Sequence, residues 1–157
     1  MYQIDEKLST HAIGVDTVEE FRKKIPSYWF KDKSIQELIE SESPNIENLP
    51  WDYAREWRII DARVLNDDGS NKLMDYARLI MTGVIYMGQN HHTIVCCTAG
   101  QSRSNAIAVG ILTEINRHDK NFNFFDAVNA VRDKVPIMDI DPSHIGKLKK
   151  LFGVYLP

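Results

Sequence analysis

The sequence predicts an α/β fold: a mostly parallel central sheet flanked by helices, with a Cys-x5-Arg loop between one strand and the helix after it. Three observations lead there. Short β-branched apolar runs alternate with longer segments of helical spacing, and clusters of turn and capping residues separate them. Residues 95–104 then pass from a buried strand through a glycine-bearing loop into a helix. In folds of this class ligands gather at the C-terminal ends of the strands, so that loop is where a site is expected. A chain of 157 residues buries a core without staples, and one domain over 1–157 is expected.

Thr17-x-x-Glu20 and Ser34-x-x-Glu37 are capping-box patterns that predict two short helices. Ser41 to Glu56 carries Pro44 and Pro50 and reads as a connecting loop, and Trp57 to Leu65 is strand-like. The turn Asp67-Asp68-Gly69-Ser70 lets Ser70 cap a helix from about Lys72 to Met87, with apolar positions at 73, 76, 77, 80, 84 and 87. Thr93 to Cys96 is apolar, β-branched and too short for a helix, so it reads as a buried strand. Ser104 to Ile115 places Ile107, Ala108, Ile111, Leu112 and Ile115 at helical spacing, and Phe124 to Val135 forms a further helix. The last helix starts with Asp141 as N-cap and Pro142 at its first position, and ends before Gly153.

Composition excludes several classes. With 43% hydrophobic and 26% charged residues the chain is neither disordered nor fibrous. A net charge of −3 gives no broad nucleic-acid footprint. MYQIDEKL has acids where a secretory signal needs bases, and Leu79 to Met87 is too short to span a bilayer. A soluble cytoplasmic protein is expected. The only cysteines are the adjacent Cys96 and Cys97, so no disulfide framework exists.

Cys97-Thr98-Ala99-Gly100-Gln101-Ser102-Arg103-Ser104 has the spacing for holding a phosphate dianion. Backbone N–H groups of residues 98 to 103 can curl onto one anion at a helix N-terminus, and Gly100 permits the curvature. Arg103 supplies a planar fork matched to two oxygens. The same positive field favours a Cys97 thiolate as nucleophile, and Ser104 can hydrogen-bond the sulfur as it leaves. Cys96 is one residue out of register for that spacing. The plain alternative, two small buried thiols, must compete with five residues matched at fixed offsets, odds on the order of one in a million.

This stretch resembles the signature loop of the dual-specificity phosphatases, within the cysteine-based protein tyrosine phosphatase superfamily. The likeness covers residues 57 to 152, including Asp126 to Arg132 and Pro136 to Leu148. It implies hydrolysis of a phosphate monoester through a phosphocysteine on Cys97, with Thr98, Ala99, Gly100, Gln101, Ser102 and Arg103 binding phosphate and no cofactor or metal. It also implies a general acid about thirty residues before the cysteine, where Asp67 is the first candidate, Asp68 the second, and Asp61 or none the remainder. One departure is that Cys96 stands where the family places histidine. That substitution motivates a second reading, a feeble or inactive relative that binds phosphorylated partners. A resolving role for Cys96 against oxidation is the minor alternative.

Phosphorylated protein is the expected partner, at phosphotyrosine, phosphoserine or phosphothreonine, with phosphate, sulfate or vanadate as loop ligands and no nucleic acid or membrane. An RNA 5′-phosphatase or phosphoinositide phosphatase shares the chemistry, but the loop lacks lysines and the chain is acidic. His91-His92 reads as a polar turn rather than a metal site, and Asp141-Pro142 as helix capping rather than an acid. Lys147, Lys149 and Lys150 read as a solvated face, and Phe122, Phe124 and Phe125 as core.

Overall fold

The structure, a computed structural model, describes residues 1–15 and 58–154. The two helices expected from Thr17 and Ser34 and the loop from Ser41 to Glu56 lie outside the described residues.

The chain opens with a hairpin, β1 (Tyr2–Asp5) and β2 (Leu8–Ala12), for which no strand was expected. Its signal is weak because Ser9 and Thr10 are polar yet buried, which masks the alternation of a half-buried strand. β3 (Arg58–Asp61) and β4 (Thr93–Cys97) complete a sheet in the order β1-β2-β4-β3. β4 runs parallel to both β2 and β3, whereas β1 and β2 are antiparallel. The sheet is therefore mixed, not mostly parallel. Only the two residues Glu6 and Lys7 join β1 to β2, and a link that short can connect antiparallel neighbours but not parallel ones.

β3 is also shorter than the strand-like run from Trp57 to Leu65. The Asp61 carboxylate accepts from the Arg63 N–H at 3.0 Å and caps a 3-10 turn over Ala62–Val64, which turns the chain out of the sheet. Four helices follow: α1 (Leu73–Gly88), α2 (Arg103–Ile115), α3 (Phe124–Lys134) and α4 (Pro142–Leu151). Ser70 does not cap α1. It lies two residues before the N-cap position, Lys72, and its N–H is bound by the Asp68 carboxylate at 2.9 Å. Asp75 serves that end instead, accepting from the Lys72 N–H at 2.8 Å. Asn123 and Asp126 form a reciprocal capping box on α3, and Asp141 caps α4 as expected.

α2 is buried on nearly every side from Ser104 to Leu112, as a central helix must be. α1 meets it through two glycines. A Cβ at Gly83 would stand 2.3 Å from Ile111 Cδ1, and one at Gly110 would stand 2.3 Å from Ile80 Cδ1, so each helix gives the other's isoleucine a seat. The buried stripe of α1 is accordingly Tyr76, Ile80 and Gly83, while Leu73 is exposed. The core shared by the helices takes Leu8, Ile60, Val95 and Cys97 from one face of the sheet. Phe124 belongs to it, but Phe125 is exposed, with Lys149 Nζ 5.7 Å from its ring centre. His92 is fully buried rather than part of a polar turn, its Nε2 2.9 Å from Ser9 Oγ. No described helix is long and apolar enough to cross a membrane.

Candidate active site

β4 ends at Cys97 and α2 begins at Arg103, so the loop between them spans 98–102. Alternation along a strand sends Cys97 to the helix-packed face and Cys96 to the other. Both thiols are free, and their opposed directions argue against a resolving role for Cys96. Cys96 is fully buried, in register between His11 of β2 and Asp61 of β3. Burial, reinforced by the Asp61 charge, pushes its thiol well above the ordinary range.

Cys97 is 2% exposed, and its sulfur has two partners. The Gly100 N–H donates to Sγ at 3.2 Å, and Ser104 Oγ lies 3.1 Å away. Gly100 adopts φ +71°, and a Cβ there would stand 3.1 Å from Ala12 Cβ, so conformation and space both call for glycine.

The loop is braced from several sides. Asn105 Nδ2 donates to the carbonyls of Gly100 and Gln101, each at 2.9 Å. The Ile13 and Gly14 N–H groups donate to the Cys97 and Thr98 carbonyls at 3.0 and 3.1 Å. Asp139 N–H donates to Gln101 O and Asp141 N–H to Ser102 Oγ, each at 2.8 Å. Most of these braces spend carbonyls, while Thr98, Ala99 and Gln101 remain exposed.

Arg103 is half-buried over this loop. Its Nη1 donates to the carbonyls of Arg63 and Leu65 at 3.2 and 3.0 Å, and its Nη2 donates to Thr98 Oγ1 at 3.1 Å. Two carbonyls thus use the Nη1 hydrogens and orient the plane, leaving Nε–H and one Nη2–H on the opposite edge. That edge is the one a tetrahedral oxyanion can take bidentately.

The three acid candidates are separated by their partners. Arg63 grips Asp61 through Nε and Nη2, both at 2.9 Å. Burial acts to raise the Asp61 carboxyl, but the hydrogen bonds and charge of Arg63 outweigh it and hold it below the usual range. Asp68 is exposed and held low by its bonds to Ser70. Asp67 points differently: Oδ2 lies 3.9 Å from Arg103 Nε, and Oδ1 lies 2.5 Å from His144 Nε2. The structure thus brings Cys97, Arg103, Ser104 and Asp67 into one neighbourhood. It adds His144, which sequence reasoning missed because nothing in Asp141-Pro142-Ser143-His144 distinguishes a reaching side chain from ordinary helix-start residues. Among the described residues no group of three or more His, Cys, Asp or Glu could hold a metal.

No protein-family model matches the chain, and no curated protein sequence does. Solved structures do. Human DUSP28 carrying a Tyr-to-His substitution superposes with a TM-score of 0.59 at 14% identity, over 96% of this chain and 92% of that one. A mouse candidate dual specificity phosphatase complexed with zinc tungstate gives 0.59 at 11% identity, over 96% and 84%. Tk-PTP in its active form gives 0.57 at 13% identity, over 98% and 96%. The architecture traced from β1 to α4 is the fold of the dual-specificity and tyrosine phosphatases.

Proposed function

We propose that this chain is a cysteine-dependent phosphatase of the dual-specificity type, hydrolysing phosphate monoesters of proteins through a phosphocysteine on Cys97. One observation carries the reading: the Cys97 sulfur sits at a strand end under a strand-to-helix loop, hydrogen-bonded to both the Gly100 amide and the Ser104 hydroxyl.

In the reaction the Cys97 thiolate attacks phosphorus and the ester P–O bond breaks. Loop amides other than that of Gly100 and the open edge of Arg103 hold the three equatorial oxygens, where charge is greatest in the transition state. Asp67, protonated, gives its proton to the departing oxygen. Asp67, now a carboxylate, takes a proton from water as that water attacks the phosphocysteine. The S–P bond breaks, the Ser104 hydroxyl donates to the leaving sulfur, and inorganic phosphate departs. The mouse neighbour was crystallised with zinc tungstate, and a tetrahedral oxyanion is the ligand expected over Arg103 here.

A second reading, a phosphate-binding module with little turnover, draws on Cys96, whose buried thiol lacks the basic side chain the resemblance implies at that position. Turnover separates the two. Aryl phosphate hydrolysis that vanadate suppresses supports the enzyme, whereas vanadate or phosphate binding with no hydrolysis supports the module. A crystal structure with vanadate in which the oxyanion does not lie between Cys97 Sγ and Arg103 would overturn both.

A further inference from the structure

Asp67 is held by a chain of buried polar side chains that the proposed chemistry leaves unexplained. His144 and Tyr76 are both fully buried, and Asn71 is nearly so. Asn71 Nδ2 donates to the Tyr76 oxygen at 3.2 Å, and that oxygen is 2.6 Å from His144 Nδ1. His144 Nε2 then meets Asp67 Oδ1 at 2.5 Å. A core has no reason to retain three polar groups in series unless each is satisfied, and here each is.

The order of donors follows from the first link. Asn71 Nδ2 can only donate, so the phenol oxygen accepts from it and its own O–H is free to donate to Nδ1. Burial raises the Tyr76 phenol above its usual range, which keeps that proton in place. With Nδ1 accepting, a neutral His144 carries its proton on Nε2 and donates to Asp67 Oδ1. The imidazole thereby occupies one carboxyl oxygen and leaves the other, Oδ2, on the Arg103 side. Oδ1 can accept from Nε2–H whether or not Oδ2 carries a proton, so the clamp survives both halves of an acid–base cycle. The acid's loop also rests on the start of α4, where a Cβ at Gly69 would stand 3.7 Å from Ser143 Cβ. Asp68 and Asp141 each engage a backbone N–H two residues on, the Asp141 charge also acts on His144, and Asp67 is the carboxylate hydrogen-bonded to its ring.

We propose that His144, anchored by Tyr76 and Asn71, is a positioning residue that clamps Oδ1 of Asp67 and presents Oδ2 to the leaving group. The inference rests on the phosphatase reading above. It predicts that the last helix, not the loop's own residues, sets the acid's geometry.

The test uses phenyl phosphate, a poor leaving group, against a nitro-substituted aryl phosphate that departs without a proton. His144→Gln should lower kcat/KM on phenyl phosphate by roughly 10- to 10²-fold, with about a threefold or smaller change on the activated ester. Tyr76→Phe, which keeps the ring and removes only the hydroxyl, should move the same ratio in the same direction by a smaller factor. In an Asp67→Asn background neither substitution should change the ratio further, because the group they position is already disabled. Equal losses on both esters, or a His144→Gln effect that multiplies the Asp67→Asn effect, would overturn the positioning role alone. Should His144→Gln fail to fold, Tyr76→Phe decides the matter by the same ratio. A wild-type protein that hydrolyses neither ester overturns the phosphatase reading and this inference with it.

Discussion

The two sides of the candidate site are held in different ways. The thiol side is built from residues next to one another in sequence, Cys97 to Asn105, and its loop is tied by at least six hydrogen bonds to its own helix, to the end of β2 and to the segment before α4. The acid side is an exposed turn, Asn66 to Ser70, whose one functional carboxyl candidate is tied by a side chain 77 positions away. On the proposed reading, a sulfur nucleophile beneath a braced loop has little freedom to be misplaced, whereas an acid on an exposed turn depends on a clamp. The comparison predicts that damage on the thiol side abolishes chemistry, while damage on the acid side is selective.

The largest effect is expected from Cys97→Ser. A serine hydroxyl fills the place of the thiol but keeps its proton at neutral pH, so turnover should fall below detection while phosphate or vanadate binding persists. Retained turnover in Cys97→Ser, or its loss in Cys96→Ser instead, would show that the register is wrong.

Asp67→Asn should lower turnover of phosphotyrosine by about 10²- to 10⁴-fold and cost far less on an activated aryl phosphate. Asp61→Asn and Asp68→Asn should show no such selectivity, since Arg63 and Ser70 already claim those carboxylates. The contrast between the two sides collapses if Asp68→Asn alone reproduces the pattern.

Asn105→Ala probes the bracing itself. It leaves the Gly100 carbonyl without its side-chain donor, while the Gln101 carbonyl keeps the Asp139 N–H, and a buried unsatisfied group costs about 1–3 kcal/mol, so a loss of anion affinity on the order of tenfold is expected, equal for good and poor leaving groups. A leaving-group-dependent loss in calorimetric and kinetic assays would contradict the division drawn here.

The smallest effect separates site from fold. Burial lowers His92, at the far end of β4, from about 6.5 to about 4. The unfolded chain therefore binds a proton that the folded chain refuses between those values. Stability should fall as pH drops from about 6.5 to about 4, by up to about 1.4 kcal/mol per pH unit from this residue. His92→Asn should reduce that slope in urea melts, the share from His11, lowered likewise by burial to about 4, remaining, while leaving the pH dependence of kcat in place. An unchanged slope would mean that other groups govern acid sensitivity.

Local chemistry made much of this molecule legible from sequence. The Cys97 to Ser104 loop, the strand before it, and the helices capped by Asn123 and Asp141 are written in contiguous residues, because a strand end, a tight loop and a helix start each need particular side chains at fixed offsets. The mixed sheet escaped notice because the β1–β2 hairpin buries Ser9 and Thr10, and polar residues inside a strand carry no periodic signal. Ser70 does not cap because α1 starts at Leu73 with Lys72 at the N-cap, and Ser70 belongs instead to the turn closed by the Asp68 carboxylate. What only the tertiary structure decided is the surroundings of the acids and of one histidine. Asp61, Asp67 and Asp68 are the same residue type within eight positions of sequence, and nothing local ranks them. Folding gives them different partners, Arg63 for one, Ser70 for another, and His144 with Arg103 for the third. A carboxyl's role depends on the charges and donors around it, and those arrive here from across the chain.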